Sequence, residues 1–183
     1  QNYAADQIYR YLFDHVRVIW YEPNNVDAAE MFRRLNVGRI PLTNAELIKA
    51  LLLSKAQSDN RAYEIAAQWD AIERDLRRPE VWAFLTTRSP EQSPTRISLL
   101  LDTLAGGDRG RMRPRFHTFE VLRGQLEDDH LTLWQRVVDL HATVVGWFED
   151  NDTYHKIGYL VALGEEFHSL WTMSVDRRRT EFS

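Results

Sequence analysis

The sequence predicts a mainly α protein: a helical bundle with a small β remnant near its N-terminus. Three observations carry that reading. From residue 44 almost to the end, apolar residues recur at three- and four-residue spacing, the period of a helix buried on one face. Only Val16-Arg17-Val18-Ile19-Trp20-Tyr21 is β-branched and aromatic with partial alternation, so it is the one expected strand. A lone strand leaves backbone donors and acceptors unpaired. It needs partner strands from outside this chain or from a second molecule, which points to a fragment of a larger α+β protein. The chain opens at Gln1 rather than Met, as a fragment would.

The elements follow in order. Tyr3, Ile8, Tyr11 and Leu12 space a first helix over residues 3–14, before the strand. Pro23-Asn24-Asn25 is a turn, and Asp27 is placed to cap a helix running to Leu35. Asn36-Val37-Gly38 ends that helix, because Asn and Gly tolerate the left-handed conformation. Pro41 cannot continue a helix. Thr43 and Glu46 then form a Thr-x-x-Glu capping box ahead of Leu47, Ile48 and Leu51 to Leu53. Ile65, Trp69, Ile72 and Leu76 lie on one face of the next helix. Pro79 opens a short helix carrying Val81, Trp82, Phe84 and Leu85, and residues 89–94 form a loop. Thr95 is the expected cap of a helix through Ile97, Leu100, Leu101 and Leu104. Residues 105–114 read as a long mobile loop, because Gly and Arg crowd there. Helices are expected over residues 116–126, 131–147, 154–163 and 165–176, with Glu127-Asp128-Asp129-His130 as a polar junction. Short connections imply antiparallel neighbours.

Composition narrows the function. The 183 residues are 44% hydrophobic and 27% charged, as in an ordinary globular chain. A net charge of −4 excludes an overall basic coat for nucleic acid but not a local basic patch. With no cysteine, thiolate catalysis, disulfides and Cys-based zinc sites are ruled out, and a reducing cytoplasm is the compatible location. No apolar run reaches the roughly 18 residues a membrane helix needs, so no membrane partner is expected.

One segment is more specified than any other: Phe32-x-x-x-Asn36, Gly38, Pro41-Leu42-Thr43, Glu46-Leu47-Ile48-Lys49. In this order, and after Val18-Ile19-Trp20-Tyr21, it resembles the ParB/sulfiredoxin-like domains of GmrSD-type, modification-dependent restriction proteins. Trp69, Glu73, Phe84-Leu85, Thr95-Arg96-Ile97, Leu100-Leu101 and 154–160 resemble the helical region of one branch of that family. The resemblance implies residues 1–55 as the C-terminal part of a ParB-like, nucleotide-associated domain, and 56–183 as a helical extension. It implies Phe32, Asn36, Gly38 and Arg39 as nucleotide-site residues, Asn36 orienting the nucleotide and Phe32 packing beneath it. Two departures limit it. The Asp-Gly-Gln-Gln-Arg motif that precedes this segment in the family is absent, and so is a His-Asn-His nuclease segment. The implied function is a fragment of a restriction or phage-defence protein that is catalytically inactive alone. The upstream half of its own domain would be its first partner, with a nuclease domain and DNA as further candidates. No cofactor is assigned to this chain. A nucleoside triphosphate and a divalent metal belong to the full-length parent.

From the residues alone other readings stand beside these. Phe32 is equally a core residue and Asn36 a helix terminator. Arg39 and Lys49 could bind phosphate or form a solvated basic pair beside Glu46. Arg109, Arg111, Arg113 and Arg115 form the one basic stripe, suited to a nucleic-acid backbone or to plain solvation. Glu127-x-x-His130 and Glu165-x-x-His168 repeat a di-iron bundle spacing without fixed partners, so no metal set and no catalytic residue is assigned. His155 reads as structural. The alternative function is a helical protein-interaction module with no nucleotide role. It would use the exposed strand or an apolar bundle face.

Overall fold

The computed structural model describes residues 2–17, 42–107 and 114–181. Among them lie eight α-helices and one 3-10 turn, and no strand. We number the helices α1 (Asn2–His15), α2 (Asn44–Ala56), α3 (Ala62–Leu76), α4 (Pro79–Leu85), α5 (Ser98–Leu104), α6 (His117–Glu149), α7 (Asn151–Ala162) and α8 (Phe167–Glu181). The mainly α bundle is therefore what forms. Val16, the first residue of the expected strand, lies just past α1 and is tied to it, donating its backbone N–H to the Leu12 carbonyl at 3.0 Å. Val18 to Tyr21 lie outside the described residues, as does the expected helix ending at Leu35.

Two compact units form, Gln1–Leu35 and Asn36–Ser183. In the first, Ile8, Tyr9, Tyr11, Leu12 and Phe13 are all more than half exposed on α1. In the second, α6 is the axis. α2 packs along it more extensively than any other helix, and α5 and α7 also lie against it. α2 also contacts α3 and α5, α4 contacts α3 and α7, and α8 contacts α5. The helix carrying the capping box thus belongs to the same packed body as the helices beyond residue 56.

The core follows the helical period. Leu47, Ile48 and Leu52 of α2 are buried with Ile65, Trp69, Ile72 and Leu76 of α3. Leu99 to Leu101 of α5 are buried, as are Phe119, Leu122 and Leu126 in the first half of α6, against which α5 packs. Burying a Leu, Ile or Phe side chain stabilises by about 1.5–3 kcal/mol, so these rows dominate the energetics. Aromatic rings fasten the far end: Phe84 stacks on Tyr154 at 5.0 Å, and Phe148 meets both edge-on. Trp134 is core, while Trp147 and Trp171 are only half-buried.

α6 is not one straight helix. Asp129 has φ −152° and ψ 87°, which breaks the helical path. Its carboxylate accepts from the Thr132 N–H at 3.0 Å and the Thr132 hydroxyl at 2.7 Å, so it caps the second half of α6. The Thr132 hydroxyl holds the Asp129 carboxyl below its usual pKa, helped by the Thr132 amide. The expected polar junction over residues 127–130 is this kink.

The start of α5 departs from expectation. Thr95 does not cap it; its hydroxyl pairs with the Ser98 hydroxyl at 2.8 Å. The cap comes from another helix. Glu73 of α3 accepts from the Arg96 N–H at 3.0 Å and the Ile97 N–H at 2.9 Å, and Arg77 holds the same carboxylate at 2.9 Å. Arg96 lies over the Trp82 ring, 4.6 Å from its centroid, and Arg77 donates to the Pro94 carbonyl. The loop before α5 is thereby tied to α3 and α4. No helix among the described residues is long and apolar enough to cross a membrane.

Replacing Glu73 by Ala strips both amides of their acceptor, and an orphaned buried donor costs about 1–3 kcal/mol. Urea denaturation of Glu73→Ala should therefore show a loss of about 2–3 kcal/mol. Arg77→Ala, which leaves both amide bonds in place, should lose clearly less.

Candidate functional site

The capping box predicted at Thr43 forms in full. The Thr43 hydroxyl accepts from the Glu46 N–H at 3.2 Å, and the Glu46 carboxylate accepts from the Thr43 N–H at 2.7 Å. This satisfies backbone donors at the start of α2 reciprocally. The next residue, Asn44, reaches across the bundle. Its Nδ2 donates to the Arg115 carbonyl at 2.9 Å, and its Oδ1 accepts from the Phe119 N–H at 3.0 Å. A carboxamide can do this because it carries both donor and acceptor. One side chain thus satisfies an orphan amide in the first turn of α6 and clamps the end of the arginine-rich segment.

Among the described residues, Asn44 ties the start of α2 to Arg115 and to the first turn of α6. Thr43 and Asn44 follow the Phe32-to-Leu42 segment; Arg115 closes the arginine stripe. Phe32, Asn36, Gly38, Arg39, Arg109, Arg111 and Arg113 lie outside the described residues. Arg115 itself is exposed, its guanidinium 5.6 Å from the Phe116 ring centroid. Thr95, another residue of the family-like pattern, reaches the Thr43 hydroxyl at 3.5 Å. Lys49 pairs with Asp70 at 2.7 Å and lies over Trp69, so its amino group is engaged within the bundle.

A second polar feature escaped sequence reasoning. A cleft of about 50 Å³ opens between the ends of α4, α5 and α7 and the start of α8, among Thr86, Arg88, Asp102, Glu166 and His168. Arg88 pairs with Glu166 at 3.1 Å, and Asp102 accepts from the Thr118 hydroxyl at 2.6 Å. Gly107, at φ +67°, lets the chain pass against the His168 ring: a Cβ there would lie 2.0 Å from its Cγ. The cleft has room for a few waters at most. No spacing rule joins residues 88, 102 and 168, so only packing could reveal it.

Neither Glu-x-x-His pair presents two ligands on one helical face. The kink at Asp129 separates Glu127, which pairs with Arg123 at 2.8 Å, from His130, which faces Asp59. Glu165 precedes α8, while His168 lies inside it. Among the described residues no group of three or more carboxylates and imidazoles could hold a metal. His155 is exposed on α7 beside Tyr154. A larger groove, of about 730 Å³, runs along Trp147, Ile157, Leu160, Leu170 and Met173, with Lys156 among its lining residues.

No protein-family model matches this chain, and comparison with curated proteins and with solved structures yields no match.

Two substitutions probe these contacts. Asn44→Ala should cost about 1–2 kcal/mol in urea denaturation, the usual value of a lost helix cap. Gly107→Ala should destabilise by more than about 1 kcal/mol, because the backbone is left-handed and the space is taken. In a double-mutant cycle, His168→Gly should recover more of that loss than His168→Ala, because Ala keeps the Cβ that would lie 2.5 Å from the new one, and the backbone part should remain in both.

Proposed function

We propose that this chain is the C-terminal part of a ParB-like, GmrSD-type module with its helical extension. It would contribute to a nucleotide-sensing site and a basic DNA-facing segment of a cytoplasmic restriction or phage-defence protein. The observation that supports this best is the Asn44 clamp, which ties the start of α2 to Arg115, the last arginine of the stripe. In this reading Asn36 orients a nucleoside triphosphate over Phe32, with Gly38 and Arg39 at its phosphates. Arg109, Arg111, Arg113 and Arg115 track a nucleic-acid backbone. Hydrolysis would need acidic and Arg groups from an upstream half-domain to place water and neutralise phosphate charge. Cutting would need a metal-bearing nuclease domain. Alone, the chain binds and does not turn over.

A second reading is favoured by one specific observation. A 14-residue helix is marginal in water on its own, yet α1 leaves Ile8, Tyr9, Tyr11, Leu12 and Phe13 largely exposed. A protein-interaction module with no nucleotide role would use that face.

Titration with fluorescent adenosine and guanosine triphosphates separates the two readings. Saturable binding that Asn36→Ala abolishes without loss of stability supports the nucleotide site; no binding, or unchanged binding in the variant, supports the interaction module. Duplex DNA binding should weaken with salt, each phosphate contact adding about 0.9 to the log–log slope. Changing all four stripe arginines to Gln should remove most of that slope.

A further inference from the structure

Where α3 meets the second half of α6, core aromatic rings are flanked by titratable pairs that the proposed site does not use. At the centre of this seam Trp69 stacks on Trp134, 5.7 Å between centroids and 12° between planes. The Trp134 indole N–H donates to Gln68 Oε1 at 2.6 Å. Both rings are almost fully buried. Each end of the seam is closed by an imidazole from α6 set against a carboxylate. His130 Nε2 lies 2.9 Å from Asp59, in the turn before α3, and His141 Nε2 lies 3.4 Å from Asp75, near the end of α3. The two histidines sit about three turns apart, on one face of the helix.

These are not ordinary surface ion pairs. Each histidine side chain is only 16% exposed. Neither Nε2 is directed into hydrogen-bond geometry, despite the short distances. A proton arriving there enters a desolvated site and finds a carboxylate nearby but misaligned. Asp75 is the charge that acts on His141, and Asp59 faces His130.

We propose that the α3–α6 seam is a proton-sensitive latch: protonation of His141 loosens the Trp69–Trp134 stack while the α2–α5–α6 core stays folded. The buried position disfavours the charged imidazole more than Asp75 favours it, so the His141 pKa is lowered from 6.5. A histidine with a lowered folded-state pKa contributes stability that is complete above its unfolded pKa. That contribution is lost as pH falls from about 6.5 toward the folded value. The seam is therefore closed at neutral pH and weakens under mild acid.

The test compares the urea midpoints of the wild-type chain, His141→Gln and Asp75→Asn between about pH 7 and about pH 5. The wild-type midpoint should fall, and His141→Gln should fall less. Asp75→Asn should fall more, because it removes the carboxylate that partly offsets the buried charge. A residue with a merely structural role would shift all pH values equally, so parallel profiles overturn the proposal. Should His141→Gln fail to fold, the Asp75→Asn slope decides alone. Hydrogen exchange on the wild type, corrected for intrinsic pH dependence, gives the local readout. Amides of residues 133–141 should lose protection before those of residues 99–104, and simultaneous loss overturns the latch in favour of global acid unfolding.

Discussion

Every helix begins with backbone amides that its own hydrogen-bond ladder cannot satisfy. In this bundle that constraint ties the molecule together, because the amides at two helix starts are met by side chains from other helices. Glu73 of α3 takes the amides at the start of α5, and Asn44 of α2 takes the Phe119 amide in α6. A cap supplied from a distance does two things at once. It completes a helix end, and it fixes one helix against another with the directionality that apolar packing lacks. α2, α3, α5 and α6 are thereby locked into one arrangement before their leucines are counted.

That arrangement gives the family-like residues a physical meaning independent of any family. Thr43, Glu46, Glu73, Thr95, Arg96 and Ile97 are connected through a capping box, a long-range cap, a hydroxyl contact and the Arg96–Trp82 stack. Residues spread over more than 50 positions act as one scaffold around the start of α2. At that start, Asn44 reaches Arg115 and Phe119, so the scaffold extends to the first turn of α6.

The opposite end of the molecule is built differently. Beyond the kink at Asp129, α6 is held by aromatic rings and by imidazole–carboxylate contacts, and the apolar groove beside Trp147 is left uncovered. Leu133, Val137, Leu140 and Val144 are buried there as well, so this end adds rings and imidazole–carboxylate contacts to aliphatic packing of the ordinary kind.

The sequence by itself determined the helices, because the 3.6-residue period of Ile65, Trp69, Ile72 and Leu76, and of the rows in α2 and α6, is a local property. It determined the Thr43–Glu46 box, whose partners are three residues apart, and the polar break near residue 129, where charges interrupt an apolar row. Only the tertiary structure decided the rest. Thr95 looked like a cap by position, but Glu73 took that place from 23 residues away. Asn44 gave no local sign of reaching Arg115, 71 residues on. The Glu-x-x-His spacings suggested shared faces that a kink and a helix start removed. Arg88, Asp102 and His168 shared a cleft that no spacing encodes. Local periodicity records which face of an element is buried; it does not record which distant side chain will meet an unsatisfied amide, since that depends on how the elements cross.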